Sequence, residues 1–152
     1  MREIRQRISA VTDILGRPPR VMVVDDEPDC LDFVCEGLTI VGFTNVVRYS
    51  CTSAAATAGI VDAPYDLVLS DLQNKISGDL IGGFTLFDTL TAAGKRPIVY
   101  GVMTGSYEDH FHLPQVEAME GYYAKPFRIT EVIGSLTDTL YEKVMRSELL
   151  GK

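Results

Sequence analysis

Four apolar residues, Val21-Met22-Val23-Val24, run directly into three acids, Asp25-Asp26-Glu27. An unbroken apolar run of this length reads as a strand buried on both faces, as in the middle of a parallel sheet. Such a strand does not normally end in adjacent carboxylates unless something cationic sits at its tip. A second segment nearly repeats the pattern: Tyr65-Asp66-Leu67-Val68-Leu69-Ser70-Asp71. As parallel neighbours, the two strands bring Asp25, Asp26 and Asp71 to one edge of the sheet. That edge asks for a metal.

The rest of the chain supplies the helices that such a sheet needs. Ile4, Ile8, Val11, Ile14 and Leu15 have helical spacing with arginines between them, and Gly16-Arg17-Pro18-Pro19 then ends that helix as a linker. After the strand at 21–25, a helix is expected over 28–40, with Pro28 in its first turn and Gly42 as its stop. A short strand at 46–49 precedes an Ala-rich helix over 53–60, for which Ser53 is the expected cap. The strand at 66–70 leads through a long Gly-containing loop to a helix over 84–93, ended by Gly94. Pro97 opens a strand that runs through Met103; a polar helix over 107–119 and a strand at 122–124 follow. Thr130 is the expected cap of a last helix reaching about Leu149, with Glu131 in its first turn. These are five β/α repeats, so the sheet is parallel with helices on both faces. Ligands of such sheets bind outside the carboxyl ends of the strands, where the aspartates lie.

At 152 residues the chain is one domain by length, with 46% apolar and 23% charged residues, enough to bury a core. A net charge of −7 argues against a general nucleic-acid-binding surface. No apolar run approaches a membrane span, and no apolar signal core follows the basic N-terminus, so a cytoplasmic location is expected. Cys30, Cys35 and Cys51 form an odd set without a CxxC pair, read as small reduced core residues.

Two more features fall at the ends of later strands. Thr104 follows Val102-Met103, and Lys125 follows Tyr123-Ala124 and precedes Pro126-Phe127. Three carboxylates a few ångströms apart repel one another by several kcal/mol at an effective dielectric of about 20, so either some protonate or a divalent cation binds. An all-oxygen site without His or Cys suits Mg²⁺ or Mn²⁺. Lysine supplies a point charge for a phosphoryl oxygen and threonine a hydroxyl donor. An aspartate beside them is placed to attack phosphorus and form an acyl phosphate.

Val-Asp25-Asp26-Glu, Asp66-Leu-Val-Leu-Ser-Asp71, Met-Thr104-Gly and Lys125-Pro126-Phe127 together resemble the receiver domain of two-component response regulators, over about residues 20–145. The resemblance implies a flavodoxin-like, doubly wound α/β fold, (β/α)5, with strand order 2-1-3-4-5. Here it would carry an extra N-terminal helix: residues 1–19 as extension and linker, 20–150 as the receiver. It implies Asp71 as phosphoacceptor, Asp26 as a direct Mg²⁺ ligand, Asp25 as an acidic residue acting largely through water, and the backbone carbonyl of Gln73 as third protein ligand. Thr104 would be the switch hydroxyl, Lys125 the phosphate-contacting amine, and Tyr122 the aromatic switch. The implied activity is acceptance of a phosphoryl group from a histidine kinase or phosphotransfer protein, not enzyme turnover, with a downstream protein as the reader of the switch. Only Gly-Lys follows Leu150, so a single-domain regulator or an excised receiver fragment is expected.

The chain departs from the family in its loop. Residues 72–83 lack the usual Met-Pro pair, and Gly83 lies twelve positions after Asp71, an insertion of about four residues beside the site. Pro97 lies further before Thr104 than usual, which keeps Ser106 as an alternative hydroxyl. His110 and His112 read as a solvated helix face. The helix over 1–15 is left with three readings: a leader without fixed structure, an intramolecular brace, or half of a homodimer contact. Two other functions remain beside the leading one. They are a degenerate receiver that binds partners without phosphorylation, and a Mg²⁺-dependent phosphohydrolase working through an aspartyl phosphate.

Overall fold

A computed structural model describes residues 2–105, 107–110 and 113–151. Ser106 and His112, named above, lie outside the described residues. In chain order the elements are α1 (Arg2–Leu15), β1 (Arg20–Val24), α2 (Pro28–Val41), β2 (Asn45–Tyr49), α3 (Thr52–Val61), β3 (Leu67–Asp71), α4 (Gly82–Ala92), β4 (Val99–Thr104), α5 (Tyr107–His110), α6 (Pro114–Ala118), β5 (Gly121–Ala124) and α7 (Ile129–Leu150).

The five strands form one parallel sheet in the order β2-β1-β3-β4-β5, the doubly wound flavodoxin-like arrangement. Strands β3 and β4 are buried throughout, as is β1 after its first residue, which is why their sequences are continuous rather than alternating. The pleat sends alternate side chains to opposite layers. Val21, Val23, Leu67 and Leu69 join a core built with α1, α2 and α7, whereas Met22, Val24, Val68, Tyr100 and Val102 join a second core with α3 and α4. The register pairs Val24 with Ser70, Asp71 with Met103 and Thr104 with Ala124. Hence Asp25, Asp71, Thr104 and Lys125 all emerge at one sheet edge.

Helix α1 is a brace. Ile8 and Val11 are buried in the same core as Leu38, Leu140 and Val144. Arg7 pairs with Asp138, and its guanidinium lies 5.7 Å from the centre of the Tyr141 ring. In the linker, Arg17 donates to both oxygens of buried Asp66 at 2.7 and 3.2 Å, and Asp66 also accepts the Arg20 N–H at 2.7 Å. The reading of residues 1–15 as a leader without fixed structure is therefore dropped. Helices α2 and α7 meet closely at Gly37, where a Cβ would press on the side chains of Ile129 and Ile133.

Three local expectations are corrected. The polar helix over 107–119 is two short pieces, α5 and α6, because Pro114 fits only the first turn of a new helix. Ser53 does not cap α3: Cys51 holds that position, and the Ser53 N–H donates to the Ser77 hydroxyl at 3.1 Å, so a residue from the loop after β3 does the capping from a distance. Thr130 lies inside α7, whose cap position is Arg128, with no side-chain capping bond.

Candidate functional site

The ends of β1 and β3 bring Asp25, Asp26 and Asp71 together, with one oxygen from each lying within 4.8 Å of the others. Asp25 and Asp71 are buried, and Asp26 is half-buried. Buried charges persist only where partners compensate them, and the three acids are compensated unequally. Asp25 accepts from Lys125 Nζ at 3.0 Å and from the Glu27 N–H at 2.9 Å. Asp26 accepts the Lys75 N–H at 2.8 Å. Asp71 has weaker donors: the Asp26 N–H at 3.3 Å and the Asn74 amide at 3.4 Å from each carboxylate oxygen.

The electrostatics follow from that inequality. Burial, then the neighbouring Asp25 charge, push the Asp71 carboxyl up to about 8, while the Asp26 N–H and the Asn74 amide pull the other way. Burial opposes the charge on Lys125, but Asp25 outweighs it and holds the ammonium above its ordinary value. Cys30, beside the same acids, is pushed up to about 12, by burial first and its hydrogen bond to Asp25 second. An all-oxygen trio of neighbouring carboxyl groups, two of them buried, fits a hard divalent cation. These three residues can hold a metal ion.

The sheet edge opens into a cavity of about 760 Å³ lined by Asp26, Glu27, Asp71, Gln73, Thr104 and Lys125, with Phe33, Met103 and Phe127 among its apolar wall. Thr104 is buried, and its carbonyl accepts the Lys125 N–H at 2.7 Å, so the hydroxyl residue and the amine are tied at adjacent strand ends. Tyr122 lies apart from the cavity, in the second core layer, with its ring stacked on Phe84 at 6.1 Å. The sequence-derived residues Asp25, Asp26, Asp71, Gln73, Thr104 and Lys125 thus come together, and Tyr122 does not share their cavity.

Sequence reasoning missed Asn74 and Tyr100. Asn74 is buried and aimed at Asp71. The buried Tyr100 hydroxyl donates to the Gly83 carbonyl at 2.6 Å and so ties the first turn of α4 to β4. A Cβ on Gly83 would collide with the Asp71 carbonyl oxygen, so only glycine lets α4 start this close to β3. The length of the 72–83 segment marked the region; nothing in its composition marked Asn74.

No protein-family model matches this sequence, and no curated protein matches it. Solved structures do match. A CheY-like response regulator receiver domain from Methylobacillus flagellatus is 22% identical, with 80% of this chain and 98% of that one covered and a TM-score of 0.65. The receiver domain of a Francisella response regulator is 18% identical, covering 82% and 98%, at a TM-score of 0.68. A response regulator from Burkholderia pseudomallei, solved with a phosphorylated aspartic acid, calcium ion and citrate, is 18% identical, covering 88% and 75%, at 0.63. Identities this low speak to architecture alone: the chain has the fold of CheY-like response-regulator receiver domains.

Proposed function

We propose that this chain is a phosphoacceptor signalling module that takes a phosphoryl group on Asp71 from a histidine kinase or phosphotransfer protein and thereby switches a protein-binding surface. The observation that carries this reading is the burial of Asp71 within 4.8 Å of two further acids, in a cavity that Lys125 and Thr104 also line. Asp26, Asp71 and the Gln73 carbonyl would hold Mg²⁺ or Mn²⁺ directly, with Asp25 behind them acting through water and anchoring Lys125. A bound divalent cation supplies positive charge against the carboxylates and the phosphoryl oxygens.

An Asp71 oxygen attacks phosphorus in line, and the bond from phosphorus to the donor breaks. Lys125 Nζ meets one phosphoryl oxygen and the Thr104 hydroxyl another, so charge developing on the transferred group finds fixed donors. Those contacts draw Thr104 and Lys125 toward the acceptor. Tyr122, on β5 three residues before Lys125, is the residue whose ring would reorient against Phe84. Moving a two-state surface from about 1:99 to 99:1 takes about 5.5 kcal/mol of preference, within reach of a few charge-assisted bonds. The chain would act in the cytoplasm through protein contacts, without direct nucleic-acid binding.

Acetyl phosphate with Mg²⁺ tests the reading by intact mass. The expected result is one added phosphoryl group, lost in Asp71→Asn and in EDTA. No Asp71-dependent adduct with acetyl phosphate or with beryllofluoride overturns it in favour of a phosphorylation-independent binding module. Rapid turnover of a small phosphate ester overturns it in favour of a phosphohydrolase.

A further inference from the structure

Asn74 is the knot of the long segment between β3 and α4. Its backbone N–H donates to the Asp79 carbonyl at 3.1 Å and its carbonyl accepts the Asp79 N–H at 3.2 Å, which closes a small hairpin. Its side chain is buried and points back at the acceptor. The amide nitrogen lies 3.1 Å from the Ser50 carbonyl and 3.4 Å from each oxygen of Asp71, while the amide oxygen accepts the Ser77 N–H at 2.9 Å. Only one orientation satisfies these neighbours. Rotated by half a turn, the amide oxygen would face the Ser50 carbonyl and a carboxylate, and the NH₂ would face another N–H. A donor is therefore fixed permanently on the carboxylate of Asp71.

We propose that Asn74 is a further residue of the reaction at Asp71, one that stabilises the departing carboxylate and so shortens the life of the acyl phosphate. This rests on the reading of Asp71 as phosphoacceptor. In hydrolysis, water oxygen bonds to phosphorus, the bond from phosphorus to the Asp71 oxygen breaks, and its electron pair returns to the carboxylate. The water protons pass to inorganic phosphate and solvent. Negative charge grows on the Asp71 oxygens along this path, and a donor already in place there lowers the barrier. The attacking water approaches opposite the bond that breaks, from the cavity. Asn74 does not line that cavity, so removing its amide leaves the path of attack unchanged. In the forward direction the carboxylate loses charge as it attacks, and the same amide gives no acceleration.

The test measures both directions in the 152-residue chain, with acetyl phosphate and Mg²⁺ for loading and intact mass for decay after removal of the donor. Asn74→Ala is expected to slow decay by about tenfold, the loss of one hydrogen bond to a charged group, without slowing loading. Asn74→Ser retains a short oxygen for the Ser77 N–H and withdraws the amide from Asp71, and it should behave alike if the alanine variant does not fold. Ser77→Ala loosens the hairpin from α3 but keeps the N–H that orients Asn74, and its decay should stay within about twofold of the parent. Decay of the Asn74 variants within about twofold of the parent overturns the inference, as does equal slowing in Ser77→Ala or slowed loading alongside slowed decay. If the parent itself takes no phosphoryl group, it is the reading of Asp71 that falls.

Discussion

Replacing Asp71 by Asn in protein stripped of divalent cations should stabilise the fold, by an amount that grows with pH. The Asp71 carboxyl is held up at about 8 in the fold, against an ordinary value of 3.8. The native state therefore keeps its proton over a range in which the unfolded chain has lost it. Stability is full below the ordinary value, falls as pH rises, and levels off above about 8. Each pH unit in that window costs about 1.4 kcal/mol, so about three units place the cost near 4 kcal/mol at pH 7. Asn removes this term; its oxygen can keep the Asp26 N–H, but its NH₂ then sits against the Asn74 amide, which returns about 1 to 2 kcal/mol. The net gain is about 2 to 3 kcal/mol at pH 7 and close to zero at pH 5. Urea unfolding of both proteins in EDTA across this range measures it. A difference that does not grow with pH, or a variant less stable than its parent at pH 8, refutes the reasoning.

Val11→Ala removes two buried methyl groups from the seam between α1 and the core, and should cost about 2 to 3 kcal/mol by urea unfolding. A cost below about 0.5 kcal/mol would mean that α1 is not packed as described. Cys51 contrasts with Cys30. Hydrogen bonds from Ser53 and Ser77 bring its thiol down to about 7, whereas Cys30 is pushed up to about 12. Iodoacetamide followed by peptide mapping should therefore label Cys51 first, with a rate that rises with pH to a plateau just above neutrality. Labelling of Cys30 ahead of Cys51 would contradict this.

The sheet and most of the site were legible because buried parallel strands leave an unmistakable trace. Val21–Val24 and Leu67–Leu69 are apolar without alternation, and their charged ends are costly anywhere but at a binding edge. The helix caps were not legible. Ser53 and Thr130 look like caps by type, yet the first turn of α3 is satisfied by Ser77, a residue distant in sequence. The break between α5 and α6 was written in Pro114, but the polar run around it masked the signal. Asn74 was invisible for a different reason. An asparagine in a glycine-containing loop ordinarily serves its own turn, and only the folded hairpin shows its amide turned toward Asp71.

The brace formed by α1 has a consequence for how the molecule is made. Its partner α7 is the last helix of the fold, and the Arg7–Asp138 pair closes a contact across 131 residues. The Asp25–Lys125 pair likewise spans 100. At about 5 to 20 residues per second of synthesis, α1 leaves the ribosome several seconds or more before its binding surface exists. Throughout that interval the stripe of Ile4, Ile8 and Val11 lacks the part of its cover that α7 supplies, and a lone helix of 14 residues is marginal in water. Docking of α1 onto α7 therefore closes folding rather than starting it, since it waits for the sheet's last strand and the helix that follows.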